Sequence, residues 1–259
     1  DEGNMQAAIE LYTRALQQQR VFPDVWNNLG NAYRETGQID ASIQCYREAL
    51  AQKPTHPHAH NNLGNSLKDK GAVREAIQCY VTACNLMPNF AAAHSNLASV
   101  LKEQGEVQMA IAHYRQALAI DPNFADAWSN LGNACKDTGR LQDAIVCYST
   151  AVKLRPTFAD AWSNLAAAYK DAGRTVESIV AYDQALRLRP DFPDAFANVV
   201  HSRLLVCDWR NRTADFARLH AYLDVQINSV LPGGAYPNAF APHANLPEET
   251  KSMLRVPPE

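Results

Sequence analysis

Glycine recurs in this chain at a fixed spacing of 34 residues, and this spacing constrains the fold more than any other feature. The series has Gly3 one interval upstream and then runs through Gly37, Gly71, Gly105, Gly139 and Gly173. Two further residue types recur with the same period: Pro54, Pro88, Pro122, Pro156 and Pro190, and Tyr12, Tyr46, Tyr80, Tyr114, Tyr148 and Tyr182. A constant period of this size indicates a chain of stacked units that bury their apolar sides against one another.

The unit at residues 125–158 predicts two helices joined by a tight turn. Trp128, Leu131 and Cys135 stand at i, i+3 and i+7, which is the apolar stripe of one helix. Gly139 follows that stripe, where a helix commonly ends in a left-handed residue. Pro156 closes the unit because it cannot continue a helix. The second stripe consists of Ala144, Ile145, Tyr148, Ala151 and Val152.

This period and this helix–turn–helix unit are typical of tetratricopeptide (TPR) arrays. We therefore predict an all-α, right-handed TPR solenoid with a short irregular C-terminal segment. Residues 1–22 supply the second helix of a truncated repeat, and 23–192 hold five complete repeats. A degenerate capping repeat is predicted at 193–228, and 229–259 form a proline-rich linker or the start of a further domain. The pattern begins in mid-repeat, so we expect a piece of a longer array.

Charge, hydropathy and cysteine spacing argue against several classes of partner and location. The formal net charge of −3 gives no sign of nucleic-acid binding. No apolar run is long enough for a membrane span, and the N-terminus does not resemble a signal peptide. The six cysteines form no close pair, which favours reduced thiols and a cytoplasmic or nuclear protein.

Asparagine stands at the sixth position of every repeat, counted from residues 23, 57, 91, 125, 159 and 193. This asparagine ladder consists of Asn28, Asn62, Asn96, Asn130, Asn164 and Asn198. Asparagine is a mediocre helix former, so its repeated use asks for a reason. An amide can donate to and accept from a peptide backbone at once, which predicts a ladder that binds extended peptides. The alternative is a row of solvated amides inherited by duplication.

Acidic residues stand on the predicted face of the ladder at positions 2 and 13. Position 13 carries Glu35, Asp69, Glu103, Asp137 and Asp171. Position 2 carries Asp24, Asp126, Asp160 and Asp194. These carboxylates either stabilise helix N-termini or steer ligands towards the ladder. Position 12 is always basic in the complete repeats, which we interpret as a solvated face with local ion pairs.

No catalytic or metal-binding constellation is evident. His56, His58 and His60 alternate in the chain, but Pro57 and a helix start separate their directions. His60 replaces the tryptophan of position 4, so we expect a packed histidine. The sequence lacks a nucleophile elbow, a phosphate loop and a zinc-protease motif.

Two repeat segments and one junction resemble the TPR region of the nucleocytoplasmic protein O-GlcNAc transferase family. The segments begin at Phe90 and Phe124, and the more specific junction is Val206-Cys207-Asp208-Trp209. The resemblance implies a superhelix whose asparagines capture protein substrates. It also implies that Asp126, Asp160 and Asp194 bias substrate choice, and that lobes binding UDP-GlcNAc belong to the parent enzyme.

The resemblance weakens beyond Leu231-Pro232, where the family has a catalytic histidine. His243 is the only candidate there, and its surroundings do not match. We therefore expect this chain to bind without catalysing, with no cofactor of its own. Related alternatives are the TPR part of a protein O-fucosyltransferase and a non-enzymatic scaffold or co-chaperone. A homo-oligomer formed through the convex surface of the solenoid is a further partner that the sequence leaves open.

Overall fold

The computed structural model describes residues 2–19 and 21–230, with side chains described for 5–19 and 21–225. This part of the chain holds thirteen α-helices and no strand, and the prediction of an all-α TPR solenoid is confirmed. The helices are α1 (Glu2–Gln18), α2 (Pro23–Glu35), α3 (Ile39–Gln52), α4 (Pro57–Asp69), α5 (Val73–Leu86), α6 (Ala91–Glu103), α7 (Val107–Ile120), α8 (Ala125–Asp137), α9 (Leu141–Leu154), α10 (Ala159–Asp171), α11 (Thr175–Leu188), α12 (Pro193–Leu205) and α13 (Arg212–Val230).

The chain divides into two compact units, Asp1–Val206 and Cys207–Glu259. The first unit contains α1 to α12, and the second contains α13. The division falls inside the stretch 193–228, which the sequence assigned to one degenerate repeat. The predicted irregular C-terminal segment and His243 lie outside the described residues.

The repeat glycines take the left-handed conformation that the period predicts. Gly139 has a φ of 75°, and nothing lies within 4 Å of the place where a side chain would begin. The turn is closed by the Arg140 N–H, which donates to the Cys135 carbonyl at 2.9 Å. Cys207 stands one period after Gly173 and is the only non-glycine residue with positive φ in the described chain, at 57°.

Each repeat buries one tyrosine between its two helices. Tyr148 is 1% exposed, and a Cβ at Gly132 would lie 2.6 Å from its ring. Glycine at this position therefore allows α8 and α9 to approach closely around the ring. The same fully buried place is taken by Tyr46, Tyr80, Tyr114 and Tyr182.

The aromatic residue at position 4 ties each repeat to the preceding one. Trp128 Nε1 donates to the Pro122 carbonyl at 2.8 Å, and Trp162 Nε1 donates to Pro156 at 2.9 Å. His60 Nε2 lies 2.9 Å from the Pro54 carbonyl in the same arrangement, and it is half-buried. The more deeply packed member of the alternating histidines is His56, which is 5% exposed.

Contacts between neighbouring repeats show which helices lie inside the solenoid. The first helices contact one another in the series α2, α4, α6, α8, α10 and α12. Among the described residues, the second helices of adjacent repeats have no Cα atoms within 8 Å of each other. The first helices are thus crowded on the inner side and the second helices fan outwards. We use the term groove for the inner surface formed by positions 2, 6, 9 and 13 of these first helices.

No helix in the described stretches has the length and apolar character needed to cross a membrane.

Candidate functional site: the asparagine ladder

All six ladder asparagines lie on first helices, at intervals of one repeat along the groove. Asn28 is exposed, and the other five are half-buried. The ladder is therefore accessible along its length, but its members differ in their hydrogen bonds.

Asn62 and Asn96 are bonded to the repeat that precedes each of them. Asn62 Nδ2 donates to the side-chain oxygens of Asn27 at 3.1 Å and Asn31 at 3.0 Å. Asn96 Nδ2 donates in the same way to Asn61 at 2.9 Å and Asn65 at 3.1 Å. Both donor hydrogens of each amide are thereby used within the protein, so a peptide meets these amides mainly through their oxygens.

The core tyrosines complete this network. Tyr46 donates to Asn31 Oδ1 at 2.7 Å, which is the same oxygen that accepts from Asn62. Tyr80 and Asn96 share Asn65 Oδ1 in an identical arrangement. A buried hydroxyl, a position-9 amide and a ladder amide therefore form one connected chain from core to groove.

Asn130 and Asn164 differ from these two. Within the described residues, neither amide makes a hydrogen bond to the protein. The repeat preceding Asn130 has serine at positions 5 and 9, and the shorter Ser99 is already engaged with the Ser95 carbonyl at 3.1 Å and the Tyr114 hydroxyl at 2.9 Å. These two amides keep both donors and the acceptor available.

Asn198 follows a third pattern. Its oxygen accepts from Lys170 Nζ at 2.6 Å, and its Nδ2 donates to the Asp194 carbonyl of its own helix at 2.9 Å. Lys170 reaches Asn198 because the next repeat has Leu205 at position 13, where all the complete repeats have an acid.

An ion-pair ladder runs beside the asparagines, and each pair joins two repeats. The base at position 12 contacts the acid at position 13 of the following repeat. The pairs are Arg34–Asp69 at 2.9 Å, Lys68–Glu103 at 2.6 Å, Lys102–Asp137 at 2.9 Å and Lys136–Asp171 at 2.9 Å. The interpretation of local pairing is thus correct, and the pairs cross the repeat junctions. Exposed pairs of this kind contribute little stability individually.

The aspartates of position 2 are not equally available. Asp126 and Asp160 form two-point pairs with Arg155 and Arg189. Each arginine also lies over a phenylalanine ring, with 4.7 Å from the Arg155 guanidinium to the ring centroid of Phe158. Sequence reasoning missed these arginines, although both directly precede the repeat proline. Asp194 forms no ion pair within the described part of the chain.

The buried thiols Cys45 and Cys147 offer no reactive alternative to the groove. Burial raises the pKa of Cys147 to about 12 and the pKa of Cys45 to about 11. These thiols therefore stay protonated and are poor nucleophiles at neutral pH. The described residues include no cluster of three or more histidine, cysteine or acidic side chains placed to hold a metal ion.

Comparisons with known proteins agree with the repeat architecture. The family model described as "Cilia and flagella-associated protein 70 C-terminal domain" matches residues 55–196, more than half of the 259 residues. Two models described as TPR repeat and tetratricopeptide repeat match residues 30–71 and 11–44. No curated protein sequence matches the chain.

Several solved structures share the fold. MamA protein is 26% identical, with a TM-score of 0.56 over 65% of this chain and 92% of that chain. YrrB, described as a TPR protein with an unusual peptide-binding site, is 19% identical, with a TM-score of 0.57 over 73% of this chain and 98% of that chain. The Cut9–Hcn1 structure of the anaphase-promoting complex (APC/C) is 17% identical, with a TM-score of 0.72 over 85% of this chain and 43% of that chain.

TPR domains bind peptides or other proteins, and this chain is accordingly a protein–protein interaction scaffold. The match over residues 55–196 identifies its family. The chain belongs to the tetratricopeptide-repeat family described as the Cilia and flagella-associated protein 70 C-terminal domain.

Proposed function

We propose that this chain binds extended peptides by their backbone along the groove, with Asn130 and Asn164 as the principal contacts. The observation that carries the proposal is the absence of intramolecular hydrogen bonds at these two half-buried amides among the described residues, in a row where Asn62 and Asn96 use both of their amide hydrogens within the protein. A free carboxamide can donate to a peptide C=O and accept from a peptide N–H. The proposal therefore assigns Asn28, Asn62, Asn96 and Asn198 a smaller share of the binding energy.

The strength of such binding is limited. Each neutral hydrogen bond contributes about 0.5–1.5 kcal/mol net. Ordering a peptide residue costs about 1–2 kcal/mol. The expected complex is weak and reversible, which suits a domain that visits many protein substrates in turn.

The aspartates then divide into two groups. Asp126 and Asp160 are largely neutralised by Arg155 and Arg189, so their effect on a ligand is reduced. Asp194 is exposed and forms no ion pair within the described residues, and it is the strongest candidate for steering basic side chains of a substrate. A single unpaired carboxylate favours cationic ligands without requiring one sequence.

We further propose that the parent protein is an O-GlcNAc transferase-like enzyme of the cytoplasm and nucleus. The support is the Val206-Cys207-Asp208-Trp209 junction together with the asparagine at the sixth position of every repeat. In this proposal UDP-GlcNAc is bound outside the described residues. His243 also lies outside them, so a catalytic role for it is part of the same proposal. Reading the coding sequence beyond Glu259 tests this: an α/β domain supports the transferase, and a stop codon supports the scaffold or co-chaperone.

Two double variants test the backbone-binding groove. N130A/N164A removes the free amides, and N62A/N96A removes the engaged ones as a matched control. Fluorescence anisotropy with several labelled extended peptides of unrelated sequence gives the affinities, and thermal unfolding gives the stabilities.

We expect N130A/N164A to fold normally and to bind all the peptides about tenfold more weakly or worse, because four hydrogen bonds are lost. N62A/N96A should mainly lower the melting temperature. Unchanged affinity of N130A/N164A would contradict the proposal, and a loss confined to one peptide would contradict backbone recognition.

A further inference from the structure

The hydroxyl of Tyr182 is buried without a hydrogen-bond partner among the described residues. The four equivalent tyrosines of the preceding repeats all have one at position 9. Tyr46, Tyr80 and Tyr148 donate to asparagine at 2.7, 2.8 and 2.7 Å, and Tyr114 pairs with Ser99 at 2.9 Å. In the repeat of Tyr182, position 9 is Ala167, which offers no oxygen. A buried polar group without a partner is costly, so such groups in native proteins ask for an explanation.

The position of this hydroxyl relates it to the groove. Ala167 is half-exposed on the groove face of α10, one turn from Asn164. The equivalent tyrosine of an earlier repeat, Tyr80, lines a groove cavity of about 210 Å³ together with Asn65 and Asn96. The tyrosine hydroxyls thus lie directly behind the position-9 side chains along the groove.

Asn198 is the side chain at the ladder position next to Ala167. Its counterparts Asn62 and Asn96 reach the position-9 oxygen beside the tyrosine hydroxyl. Asn198 instead turns to Lys170 and to the Asp194 carbonyl. The end of the groove around Tyr182 therefore lacks both of the amide contacts that close the equivalent sites at Tyr46 and Tyr80.

We propose that Tyr182 donates a hydrogen bond to a backbone carbonyl oxygen of a bound peptide, at a subsite that Ala167 leaves open between Asn164 and Asn198. Burial raises the pKa of Tyr182 to about 12, so the hydroxyl carries its proton at neutral pH and acts as a donor. The hydroxyl is buried in the free chain, so the side chains that cover it move aside when the peptide enters. The proposal rests on the proposed function, because it names a further contact for the same peptide.

Three single variants of the full chain test this subsite. Tyr182→Phe removes the hydroxyl, and Ala167→Asn supplies an internal acceptor of the kind that Asn133 gives to Tyr148. Tyr148→Phe is the matched control, because it removes a hydroxyl that is already paired within the protein. Each is titrated with the same labelled peptides used for N130A/N164A, and thermal unfolding is measured in parallel.

We expect Tyr182→Phe and Ala167→Asn to be as stable as the parent chain or more stable, and to bind every peptide about 2- to 10-fold more weakly. Tyr148→Phe should lose stability and keep its affinity. Parent-like affinity of Tyr182→Phe and Ala167→Asn overturns the subsite, even when N130A/N164A binds weakly. A loss limited to one peptide overturns the assignment to the backbone carbonyl. If the parent chain binds none of the peptides, or N130A/N164A binds as the parent does, the proposed function itself fails.

Discussion

The ladder asparagines of repeats 57–90 and 91–124 differ from those of repeats 125–158 and 159–192 in what they bind. Asn62 and Asn96 each donate both amide hydrogens to side chains of the preceding repeat. The side chains of Asn130 and Asn164 make no hydrogen bonds within the described chain. The same residue at the same repeat position thus stabilises a junction in one half and stays available in the other. For Asn130 the difference arises from positions 5 and 9 of the preceding repeat, which are both serine there. The repeat preceding Asn164 has Ser129 and Asn133 at these positions, and among the described residues Asn133 accepts from Tyr148 but not from Asn164.

The hydroxyl pairs between repeats show the same contrast. Ser42 and Ser66 pair at 2.8 Å between α3 and α4. Their counterparts Ser178 and Ser202, between α11 and α12, are fully buried and have no partner among the described residues. The serine pair of the first junction is therefore satisfied and that of the last one is not. Three of the five buried side-chain groups without a hydrogen-bond partner in the described residues lie at this last junction or next to it: Ser178, Tyr182 and Ser202.

The largest expected effect on stability comes from N62A/N96A. This change removes four inter-repeat hydrogen bonds, each contributing about 0.5–1.5 kcal/mol. Alanine returns up to about 0.7 kcal/mol of helix propensity at each site. We expect a net loss of about 1–5 kcal/mol by urea unfolding, against no loss for N130A/N164A. Equal stabilities of the two variants would remove the distinction between the halves.

Ser42→Ala and Ser178→Ala give a smaller and opposite pair of effects. Ser42→Ala leaves Ser66 buried without its partner, which costs about 1–3 kcal/mol. Ser178→Ala removes a hydroxyl that is already unpaired, so stability should stay constant or rise. The melting temperatures of the two variants test this prediction. An equal decrease in both would contradict the difference between the first and the last serine pair.

The hydrogen bonds made by Asn96 can be introduced at Asn130 by the double substitution S95N/S99N. These substitutions give Asn130 the same two acceptors that Asn61 and Asn65 give Asn96. Asparagine already occupies the equivalent position of the preceding repeat, where Asn61 is 5% exposed. We expect a gain of about 1 kcal/mol from the new hydrogen bonds, together with weaker peptide binding. Increased stability with parent-like affinity would separate closure of the ladder from ligand recognition.

Acidification should act on the N-terminal half alone. Burial lowers the pKa of His56 despite the nearby Asp24, and burial with the neighbouring His94 lowers the pKa of His113. A histidine whose folded-state pKa is depressed takes up its proton more readily when unfolded, so stability falls as pH drops below about 6.5.

Residues 125–192 contain no histidine, which provides an internal control. Hydrogen exchange followed by mass spectrometry at pH 7 and at mildly acidic pH should show faster opening in residues 23–124. Equal acceleration in both halves would point to a cause other than these two side chains.

The fold could be predicted from the sequence because its period fixes the helix ends. Gly139 and its equivalents require positive φ, and Tyr148 with Gly132 requires closely spaced helices. Both requirements are local. The turn glycine and the tyrosine recur in every complete repeat, and a small residue, glycine or alanine, stands opposite the tyrosine in each, so the pattern is redundant.

The hydrogen-bond partners of the individual ladder residues could not be predicted from the repeat pattern. The availability of Asn130 depends on Ser95 and Ser99, which lie more than 30 residues away in the chain but adjoin it in space. The pairing of Asp126 with Arg155 likewise joins the two ends of one repeat. Such partners are present in the sequence, but the geometry of the repeat stack is needed to identify them.

The ion-pair ladder has a consequence for how arrays of this kind change length during evolution. Every complete repeat carries a base that faces the next repeat and an acid that faces the previous one, as Lys68 and Asp69 do. A gene duplication or deletion of one whole repeat therefore creates a new junction with matched charges on both sides. Only where Leu205 replaces the acid is this compatibility lost, and Lys170 turns to Asn198 instead. The array can gain or lose units at any earlier junction without leaving an unmatched charge.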